Sequence, residues 1–410
     1  MSAFRKNRIL YVNHTGSVSG AEVVLLNLLR GIDRERFEVV VVSPMQGSLG
    51  AELLKLGVEW LPIPAIDARF TLRPSRMLRA FGQFVRTVHA LRKRIRSLSP
   101  DIVHANSVRA GIAASFAAMG TGKPVIWHVH DTLPRHFAST AIRTFVLLAP
   151  NTRAIAVSEA TAMAFCGRMP LARKVRTVYN GVDIERFRKR NPEASQFRPQ
   201  LGLGQEDFLI CAVGQICARK GLAELVDAFE VVEANATHMH LAIVGRVVFK
   251  HEEEYMKTLR QRVQRSGAAG RIHFVGELRD VSPALQAANL VVLNSWDEPF
   301  GLVLVEAMAS GTPVLATRVG GIPEIVTDGE TGWLTERGDT PALALRLFEL
   351  SRNTEANLRV AEKAQNRTCP RFSLEQFQTE IAGYYTELVR ATDRTWDGRV
   401  RPALIRSGNN

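Results

Sequence analysis

The sequence lacks the features that mark several large classes of protein. Its four cysteines are scattered, with no Cys-x-x-Cys spacing, so neither a zinc site nor a disulfide-stapled secreted fold is indicated. No window holds the roughly 18 uninterrupted apolar residues of a transmembrane helix. The basic start, MSAFRKNRILYVNH, has no apolar segment typical of a signal peptide. These absences favour a globular chain in a reducing, cytoplasmic compartment.

Charge is distributed unevenly along the chain. Residues 1–190 hold 29 Lys and Arg against 12 Asp and Glu, a net charge of +17, whereas the remainder holds 24 against 28, a net charge of −4. The basic N-terminal half predicts an anionic partner, which could be a membrane surface or a nucleic acid. No zinc finger or RNA-recognition signature accompanies the charge, so nucleic-acid binding is not expected.

The length and the strand pattern together predict two α/β domains. One hydrophobic core stops growing at roughly 250 to 300 residues, so 410 residues favour two domains. Short β-branched runs alternate with helical patterns, which is typical of parallel sheets covered by helices. The predicted strands are 8–13, 37–43, 101–106, 124–130 and 154–158, then 208–214, 240–245, 271–276, 290–295 and 312–317. We expect two Rossmann-like, doubly wound domains facing across a cleft, with ligands beyond the carboxyl ends of the strands.

Composition also predicts where these domains begin and end. We expect an N-terminal domain over 1–190 and a second domain over 191–371. An amphipathic helix over 372–391 is expected to pack back on the N-terminal domain. A basic tail over 392–410 follows, for which disorder is the expectation. The polar, proline-containing stretch 188–207 is predicted to be the linker and hinge.

Residues 71–100 form the most basic stretch of the chain. They contain eight Lys and Arg and no acidic residue, and Arg79, Arg86 and Lys93 recur along one side. The apolar positions keep helical spacing, so the pattern predicts a basic amphipathic helix. Two roles fit this helix. It could pack on the core with a solvated charged face, or it could contact an anionic membrane, to which each basic residue contributes about 1 kcal/mol.

Two glutamates bracket the apolar run EPFGLVLVEAMAS. On one helix, Glu298 and Glu306 would lie about 12 Å apart along the axis, beyond the roughly 5 to 10 Å of a glycosidase acid–base pair. Because Glu298 precedes a Pro-Phe-Gly turn, it is expected in a loop and Glu306 in the following helix. The backbone N–H groups of Phe300, Gly301 and Leu302 would then face a phosphate. The alternative is that Glu298 stabilises the helix dipole and Glu306 faces water.

With other motifs of the chain, this stretch resembles a known family. The motifs are GSVSGAE (16–22), HVHD (128–131), VSEA (157–160), VYNGVDIERF (178–187), VGQICARKG (213–221), E-x-F-G-x-x-x-x-E (298–306) and GGIPE (320–324). Their types and order are similar to those of the retaining glycosyltransferases of family 4, the group 1 glycosyltransferases, which have two Rossmann-like domains in the GT-B architecture. The resemblance spans nearly the whole chain. It implies transfer of a sugar from a nucleoside diphosphate sugar to an acceptor.

The resemblance assigns roles to residues of the second domain. It implies that Glu306 binds the ribose hydroxyls of the nucleotide. It places Glu298 by the donor sugar, where it holds hydroxyls or supports charge on an oxocarbenium-like centre. Lys220 matches the lysine that binds the donor phosphate. The arginine that usually accompanies it would stand at Gln215, and Arg219 is either its nearest substitute or a solvated charge.

Residues of the first domain receive roles in the same way. Gly20 matches a glycine whose backbone approaches the diphosphate, with a tight turn as the alternative. His130, followed by Asp131, matches a histidine near the donor sugar and the acceptor. Glu22 is expected to stabilise the start of a helix electrostatically. His128 and His130 share one strand face, so a metal pair is conceivable, but no third ligand is near in sequence.

Four further residues are expected to be structural. His104 is predicted to be a satisfied core or rim histidine, and Asn180, Gly181 and Asp183 to form a turn. No Asp-x-Asp motif occurs in the chain, so a metal-dependent design is not indicated and no cofactor is expected. Basic side chains and a helix N-terminus would neutralise the leaving diphosphate instead.

The sequence therefore favours a retaining, metal-independent hexosyltransferase. The expected acceptor is a lipid-linked saccharide in glycan or polysaccharide biosynthesis, reached from the inner face of the cell membrane through residues 71–100. Two alternatives stay open. One is a nucleotide-sugar epimerase on the same architecture, and the other is a non-catalytic, basic membrane-associated adaptor, for which Gln215 leaves room. A dehydrogenase is disfavoured because the first loop reads GSVSG rather than G-x-G-x-x-G.

Overall fold

The computed structural model describes residues 5–65, 74–134, 136–233, 236 and 238–396, with side chains described except at 74–77, 233 and 392–396. The chain divides into two compact units. Unit 1 comprises the residues up to Val157, Ala162–Val178 and the residues from Phe377. Unit 2 comprises Ser158–Thr161 and Tyr179–Gln376. The tail predicted over 392–410 is described only to 396, and the rest of it lies outside the described residues.

Unit 1 is built on a parallel sheet. Its described strands are β1 (Asn7–Val12), β2 (Phe37–Ser43), β3 (Glu59–Pro62), β4 (Ile102–Ala105), β5 (Val125–Val129), β6 (Thr152–Ala156) and β7 (Val175–Thr177). They lie in the order β3-β2-β1-β4-β5-β6-β7 and every pairing is parallel. The strand order reverses between β1 and β4, so the loops after these two strands open at the same edge, where α/β folds bind ligands.

Helices cover the unit 1 sheet. They are α1 (Gly20–Gly31), α2 (Leu49–Lys55), α3 (Pro74–Leu98), α4 (Val108–Ala118), α5 (Phe137–Leu148) and α6 (Glu159–Cys166), of which the part from Ala162 onward belongs to unit 1. Apolar faces set their packing: Leu91, Ile95 and Trp127 belong to one buried cluster of strand and helix side chains. Ser107 begins α4 by accepting a hydrogen bond from the Ala110 amide at 3.1 Å, which satisfies one of the unpaired N–H groups of a first helical turn.

Unit 2 repeats the same plan. Its described strands are β8 (Phe208–Val213), β9 (Met239–Val244), β10 (Ile272–Gly276), β11 (Leu290–Leu293), β12 (Val314–Thr317) and β13 (Trp333–Thr335). The strand order is β10-β9-β8-β11-β12-β13, with parallel pairing throughout. The switch point lies between β8 and β11. The loops after these two strands therefore meet at one edge of the sheet.

The helices of unit 2 surround this second sheet. They are α7 (Ile184–Arg188), α8 (Ala194–Gln200), α9 (Leu222–Glu233), α10 (Glu253–Arg265), α11 (Ser282–Ala287), α12 (Leu302–Ala309), α13 (Ile322–Ile325), α14 (Thr340–Ser351) and α15 (Thr354–Lys363). The core joins apolar side chains of β8, β9 and β11 to those of α9 and α14, such as Ile210, Phe229 and Leu347. A last helix, α16 (Leu374–Trp396), follows.

These two sheets confirm the predicted fold class of two Rossmann-like α/β units. Each of the ten predicted strands corresponds to an observed one, with ends that differ by at most two residues. Three strands have no counterpart among the predictions: β3, β7 and β13, each at or next to an edge of its sheet. They have only three or four residues and partly exposed, polar positions, so the apolar runs that reveal central strands are missing.

The stretch 188–207 lies inside unit 2 rather than between two units. It carries α8, and the Arg198 guanidinium donates to the carbonyl oxygens of Gly204 and Ala287. The chain leaves unit 1 after Val178, before the boundary predicted at 190. Proline and polar residues in 188–207 indicated a linker. The same residue types also occur in a short helix such as α8, which Arg198 anchors to the rest of unit 2.

Helix α16 belongs to unit 1 from Phe377 onward. Phe377, Ile381 and Tyr385 are buried on its apolar face. The side-chain amide of Gln378 donates to the Asn27 carbonyl oxygen at 2.8 Å, a contact between residues 351 positions apart in the chain. The helix predicted for this segment is thus present, and from Phe377 onward it packs against the sheet and the first helix of unit 1.

Candidate active site

A buried ion pair lies at the switch point of unit 2. Lys220 follows β8 and Glu298 follows β11, and the Lys220 Nζ lies 2.5 Å from a Glu298 carboxylate oxygen. The Ser295 hydroxyl donates to the same oxygen at 3.1 Å. Both charged side chains are at most 15% exposed. The loops after two neighbouring strands therefore bring together a cation and an anion that stand 78 residues apart.

The surroundings of Glu298 keep its carboxyl ionised. Burial by itself raises the pKa of Glu298, but the charge and hydrogen bond of Lys220, followed by Arg219 and Ser295, outweigh burial and hold the pKa below its usual value. A buried carboxylate is costly unless it is paired and hydrogen-bonded. The site thus maintains a negative charge in a poorly hydrated place, where its effect on a nearby positive centre is strong.

The two other polar side chains predicted near Lys220 differ from each other. Arg219 is exposed, and one of its terminal nitrogens donates to the Asp297 carbonyl oxygen at 2.8 Å. Its remaining N–H groups can reach a further ligand. Gln215 donates to the Glu252 carboxylate at 2.6 Å. The position expected to carry an arginine therefore holds a neutral amide bound to an acid, and Arg219 is the cation that lies beside the pair.

The start of the helix after Glu298 carries the backbone amides that the sequence predicts to face a phosphate. Gly301 precedes the first residue of α12 with φ 108°, a left-handed backbone that only glycine adopts without strain. Leu302 begins the helix, so its N–H points out of the first turn. The Phe300 ring is buried against the rings of Tyr179 and Phe372, at centroid distances of 6.2 and 5.5 Å. This packing anchors the backbone on which the amides lie.

Glu306 lies inside α12 and is half-buried. Burial raises the pKa of its carboxyl to about 7, Arg186 lowers it in part, and Asp280 adds to the increase. No hydrogen bond to this carboxylate occurs among the described residues. A carboxylate with two oxygens available can accept both hydroxyls of a vicinal diol, which is the chemistry expected of Glu306.

The turn between β12 and α13 holds the Glu298 backbone from the other side. The Gly321 amide donates to the Glu298 carbonyl oxygen at 2.9 Å. A Cβ on Gly320, whose φ is 52°, would lie 2.0 Å from that oxygen. Sequence reasoning used these glycines only to recognise a motif, and it missed Ser295 and Glu252. The position of Ser295 two residues after β11 is a signal that could have pointed to it.

The glycine-rich loop of unit 1 precedes α1. Gly20 is the first residue of this helix, its φ is not left-handed, and a Cβ there would meet no atom within 4 Å. Its backbone conformation therefore does not demand glycine. Glu22 caps the helix as expected: its carboxylate accepts from the Ser19 amide at 3.0 Å and the Ser19 hydroxyl at 2.6 Å.

His130 stands directly after β5 and is half-buried. Its Nε2 lies 3.0 Å from Oδ1 of the buried Asn106. Burial, with a smaller contribution from His14, lowers the pKa of His130 to about 3. The imidazole is therefore neutral at physiological pH. Asp131, the next residue, is exposed. Sequence reasoning did not identify Asn106, although it is the last residue of the predicted strand 101–106.

Two further histidines of unit 1, His104 and His128, are core residues. The His104 ring nitrogens lie 2.7 Å from the Tyr385 hydroxyl and 3.3 Å from His128 Nδ1. Burial lowers the pKa of His104 to about 3 and that of His128 well below its usual value, with nearby histidines adding to both effects. Within the described parts of the chain, no group of three or more His, Cys, Asp or Glu side chains is arranged to bind a metal ion.

The turn before α7 has the structural character predicted for it. The Asp183 carboxylate accepts from the Arg186 amide at 3.1 Å and begins the helix. Asn180 is buried. Gly181 does not adopt a left-handed backbone. Neither the Asn180 nor the Asp183 side chain forms a hydrogen bond or ion pair with Lys220 or Glu298.

Two protein-family models match the chain and together span most of it. A model described as Glycosyltransferase Family 4 matches residues 18–186. A model described as Glycosyl transferases group 1 matches residues 193–367. The first match contains Gly20 and His130, and the second contains Lys220, Glu298 and Glu306. Each model thus covers the predicted site residues of one unit.

Individual relatives agree with these models. The chain is 31% identical to an N-acetyl-alpha-D-glucosaminyl L-malate synthase of Bacillus anthracis over 53% of its own length and 54% of the relative's. It is 25% identical to the lipopolysaccharide core biosynthesis mannosyltransferase LpsB of Rhizobium meliloti, over 91% of this chain and 99% of LpsB. A crystal structure of Anabaena HepE in complex with UDP-glucose superposes with a TM-score of 0.80 at 28% identity, covering 93% of this chain and 99% of HepE.

Proposed function

The chain belongs to the group 1 glycosyltransferases with the GT-B fold, and from this membership we propose that it transfers a hexosyl group from a nucleoside diphosphate sugar to an acceptor saccharide, with retention of anomeric configuration. The observation that carries the proposal is the ionised, buried Glu298 held by Lys220 beside the start of α12. A fixed negative charge at this place stabilises positive charge that develops on the sugar in the transition state.

The donor would bind along α12. Glu306 would accept the ribose hydroxyls, the N-terminal amides of α12 would face the diphosphate, and Glu298 would lie by the sugar. Lys220 uses one ammonium hydrogen for Glu298, which leaves two for phosphate oxygens. The UDP-glucose bound in the similar HepE crystal supports a donor of this class.

We propose that the leaving nucleoside diphosphate is neutralised by the protein alone. Lys220, Arg219 and the positive end of the α12 dipole supply the charge. The sequence contains no Asp-x-Asp motif to bind a metal between donor phosphates. Transfer should therefore persist in excess EDTA, and a rate restored only by Mg²⁺ or Mn²⁺ would contradict this part of the proposal.

For the acceptor, we propose a lipid-linked saccharide, reached by peripheral contact with the cytoplasmic face of the membrane. Helix α3 carries this contact. Leu78, Phe81 and Val85 are 74%, 65% and 48% exposed, whereas Leu91 and Ile95 farther along the helix are buried. Among the described residues no helix is both long and apolar enough to cross a bilayer.

Basic residues flank this exposed apolar face on one side. Arg79, Arg86 and Lys93 are exposed and recur at heptad spacing on α3. Apolar side chains that enter the headgroup region, flanked by lysine and arginine, are typical of helices that lie on anionic membranes. Of the two roles predicted for residues 71–100, core packing fits the part of α3 that holds the buried Leu91 and Ile95. For the exposed part around Leu78, Phe81 and Val85 we propose membrane contact.

The donor site can be tested by thermal unfolding with a panel of nucleoside diphosphate sugars that includes UDP-glucose. One of them should raise the unfolding temperature, since a ligand at a hundred times its Kd stabilises the folded state by about 2.7 kcal/mol. Glu306→Ala should weaken the binding of that donor about 10- to 100-fold, because hydrogen bonds to a charged group contribute about 1.5 to 3 kcal/mol. Glu298→Ala should slow transfer about 100-fold or more.

Controls separate the proposed reaction from its alternatives. Lys257 and Arg265, both exposed on α10, provide substitutions to alanine that should leave donor binding and transfer unchanged. An epimerase would convert the free sugar nucleotide without an acceptor. An adaptor would keep its function in Glu306→Ala. If no sugar nucleotide stabilises the protein, or if both glutamate variants bind and transfer like the parent, the proposal fails.

A further inference from the structure

A chain of buried amides connects Glu22 to His130 in unit 1. Asn13 follows β1 and Asn106 follows β4, the strands at the switch point, and both side chains are 0% exposed. The Asn13 Nδ2 lies 3.0 Å from a Glu22 carboxylate oxygen, and the Asn106 Nδ2 lies 3.0 Å from the Asn13 Oδ1. The Asn106 Oδ1 lies 3.0 Å from the His130 Nε2. These four side chains form one continuous chain of hydrogen bonds.

Backbone carbonyls determine which end of each amide is nitrogen. The Asn13 Nδ2 also lies 2.6 Å from the Thr15 carbonyl oxygen, and the Asn106 Nδ2 lies 3.1 Å from that of Ala21. Carbonyl and carboxylate oxygens only accept hydrogen bonds. A flipped amide would set oxygen against oxygen at two contacts, and each buried group left unpaired costs about 1 to 3 kcal/mol. Both amides are thus oriented with their nitrogens toward Glu22.

This orientation decides which nitrogen of His130 carries the proton. The Asn106 Oδ1 can only accept, so the His130 Nε2 must donate. A neutral imidazole has a single N–H, which leaves the lone pair on Nδ1. No described residue hydrogen-bonds to that Nδ1. The titratable side chains that interact electrostatically with His130 are His14, in the loop after β1, His104 on β4 and His128 on β5, and burial lowers the pKa of all three. Asp131, which is exposed, follows His130 in the chain.

We propose that Glu22, Asn13 and Asn106 are positioning residues that hold His130 as its Nε2–H tautomer and so present Nδ1 as an acceptor to a sugar hydroxyl. The ligand chemistry is that of an O–H donor, and an oxyanion or a carbonyl oxygen does not match it. The hydroxyl belongs to the transferred sugar or to the acceptor saccharide. Its identity as a sugar hydroxyl rests on the proposed function, whereas the tautomer does not.

The tautomer can be measured without any sugar. In the full-length protein with ¹⁵N-labelled histidines, nitrogen shifts and couplings to the ring protons distinguish a protonated from a bare ring nitrogen, and His130→Gln assigns the signal. His130 should show a protonated Nε2 and a bare Nδ1 throughout about pH 6 to 8, because its pKa lies far below this range. An Nδ1–H tautomer, a mixture or an imidazolium would overturn the proposal. The predicted tautomer in a protein that transfers no sugar would contradict the proposed function alone.

Two substitutions at Asn106 separate positioning from simple support of the fold. Asn106→Ala removes the acceptor, and transfer should slow roughly 5- to 10-fold at every pH, as for the loss of one hydrogen bond. Asn106→Asp keeps an acceptor but adds a charge that favours imidazolium. At saturating donor, its transfer rate should fall toward acid pH and recover at alkaline pH, a pH limb that the parent lacks.

Further measurements on the same variants identify the hydroxyl and check the fold. If the hydroxyl is on the transferred sugar, Asn106→Ala should raise the donor Kd measured without acceptor. If it is on the acceptor, the donor Kd should be unchanged and the acceptor KM should rise. Unfolding temperatures report whether each variant folds. Equal losses at all pH values in both variants, with the parent's tautomer retained, would leave Asn106 a structural residue and overturn the proposal.

Discussion

At the scale of single residues, Glu298 and Glu306 show how neighbours assign different properties to the same side chain. Both carboxyls are shielded from water, which by itself raises the pKa of each. Lys220 reverses this effect for Glu298, whereas the more balanced charges of Arg186 and Asp280 leave the pKa of Glu306 at about 7. One glutamate thus stays charged throughout the physiological range and the other changes its charge within it.

Donor binding should accordingly depend on pH. The Glu306 carboxyl is protonated below its pKa of about 7 and then loses acceptor capacity for the ribose hydroxyls. Only the ionised fraction binds fully, so the donor Kd should increase about tenfold from pH 8 to pH 6. Titration calorimetry with an intact nucleoside diphosphate sugar measures this, since such a donor carries no terminal phosphate that ionises near pH 6.

Glu306→Gln is the matched control for the pH series. It keeps the shape of the side chain and one acceptor oxygen but cannot ionise. Its donor Kd should be higher than that of the parent at pH 8 and nearly constant down to pH 6. A parent Kd that does not change over this range would contradict the role of Glu306 as an ionised ribose ligand.

At the scale of elements, the site of unit 2 is an assembly of loops. The loop after β8 carries Lys220, the loop after β11 carries Glu298, and Gly321, in the turn between β12 and α13, binds the Glu298 backbone. Parallel strands end at the same edge, so loops that are distant in sequence become neighbours. The exact approach of the loops then depends on the room between their backbones, which Gly320 provides.

Gly320→Ala should displace Glu298. The left-handed conformation alone costs an L residue about 1 to 2 kcal/mol, and the new Cβ would also meet the Glu298 carbonyl oxygen at 2.0 Å. Gly329→Ala is the matched control, because Gly329 has φ 75° but no atom within 4 Å of an added Cβ. Denaturant unfolding should show a larger loss of stability for Gly320→Ala, together with slower transfer. Equal losses of stability in the two variants would show that the contact of the added Cβ with the Glu298 carbonyl oxygen does not contribute to the loss.

At the scale of the whole molecule, charge separates the two halves of the chain. The net charge of +17 on residues 1–190 includes the exposed face of α3, where Leu78, Phe81 and Val85 are also uncovered. Residues after 190 carry a net charge of −4. An anionic membrane should therefore attract unit 1 through α3, and salt should weaken the attraction because exposed charges are screened.

Sedimentation with lipid vesicles tests this contact. The parent should bind vesicles that contain anionic lipid and bind neutral vesicles weakly. Arg79→Glu/Arg86→Glu should reduce binding about 30-fold or more, since each basic residue near the surface contributes about 1 kcal/mol and the reversal adds repulsion. Lys257→Glu/Arg265→Glu makes the same change of charge in unit 2 and should bind like the parent. Equal binding to both kinds of vesicle, or an equal loss in the control, would contradict the proposal.

Much of the fold is determined by local sequence. Buried central strands appear as β-branched runs, and helices appear as apolar positions at helical spacing, because each side chain follows the period of its own element. The loop position of Glu298 and the helical position of Glu306 follow from a Pro-Phe-Gly turn in the same way. Edge strands such as β7 were missed, since their few residues are stabilised by a neighbouring strand rather than by an apolar pattern of their own.

The pairing and protonation of the site were decided only by the tertiary structure. Residue types and motif order in the sequence indicated Lys220, Glu298, Glu306 and His130. Nothing in the sequence showed that Lys220 pairs with Glu298 across 78 positions, or that Asn106 binds His130. Such contacts depend on which strands are adjacent, and pKa values depend on burial and on charges brought near by folding. The chain thus specifies its reactive groups locally, whereas their charges and tautomers are set by neighbours distant in sequence.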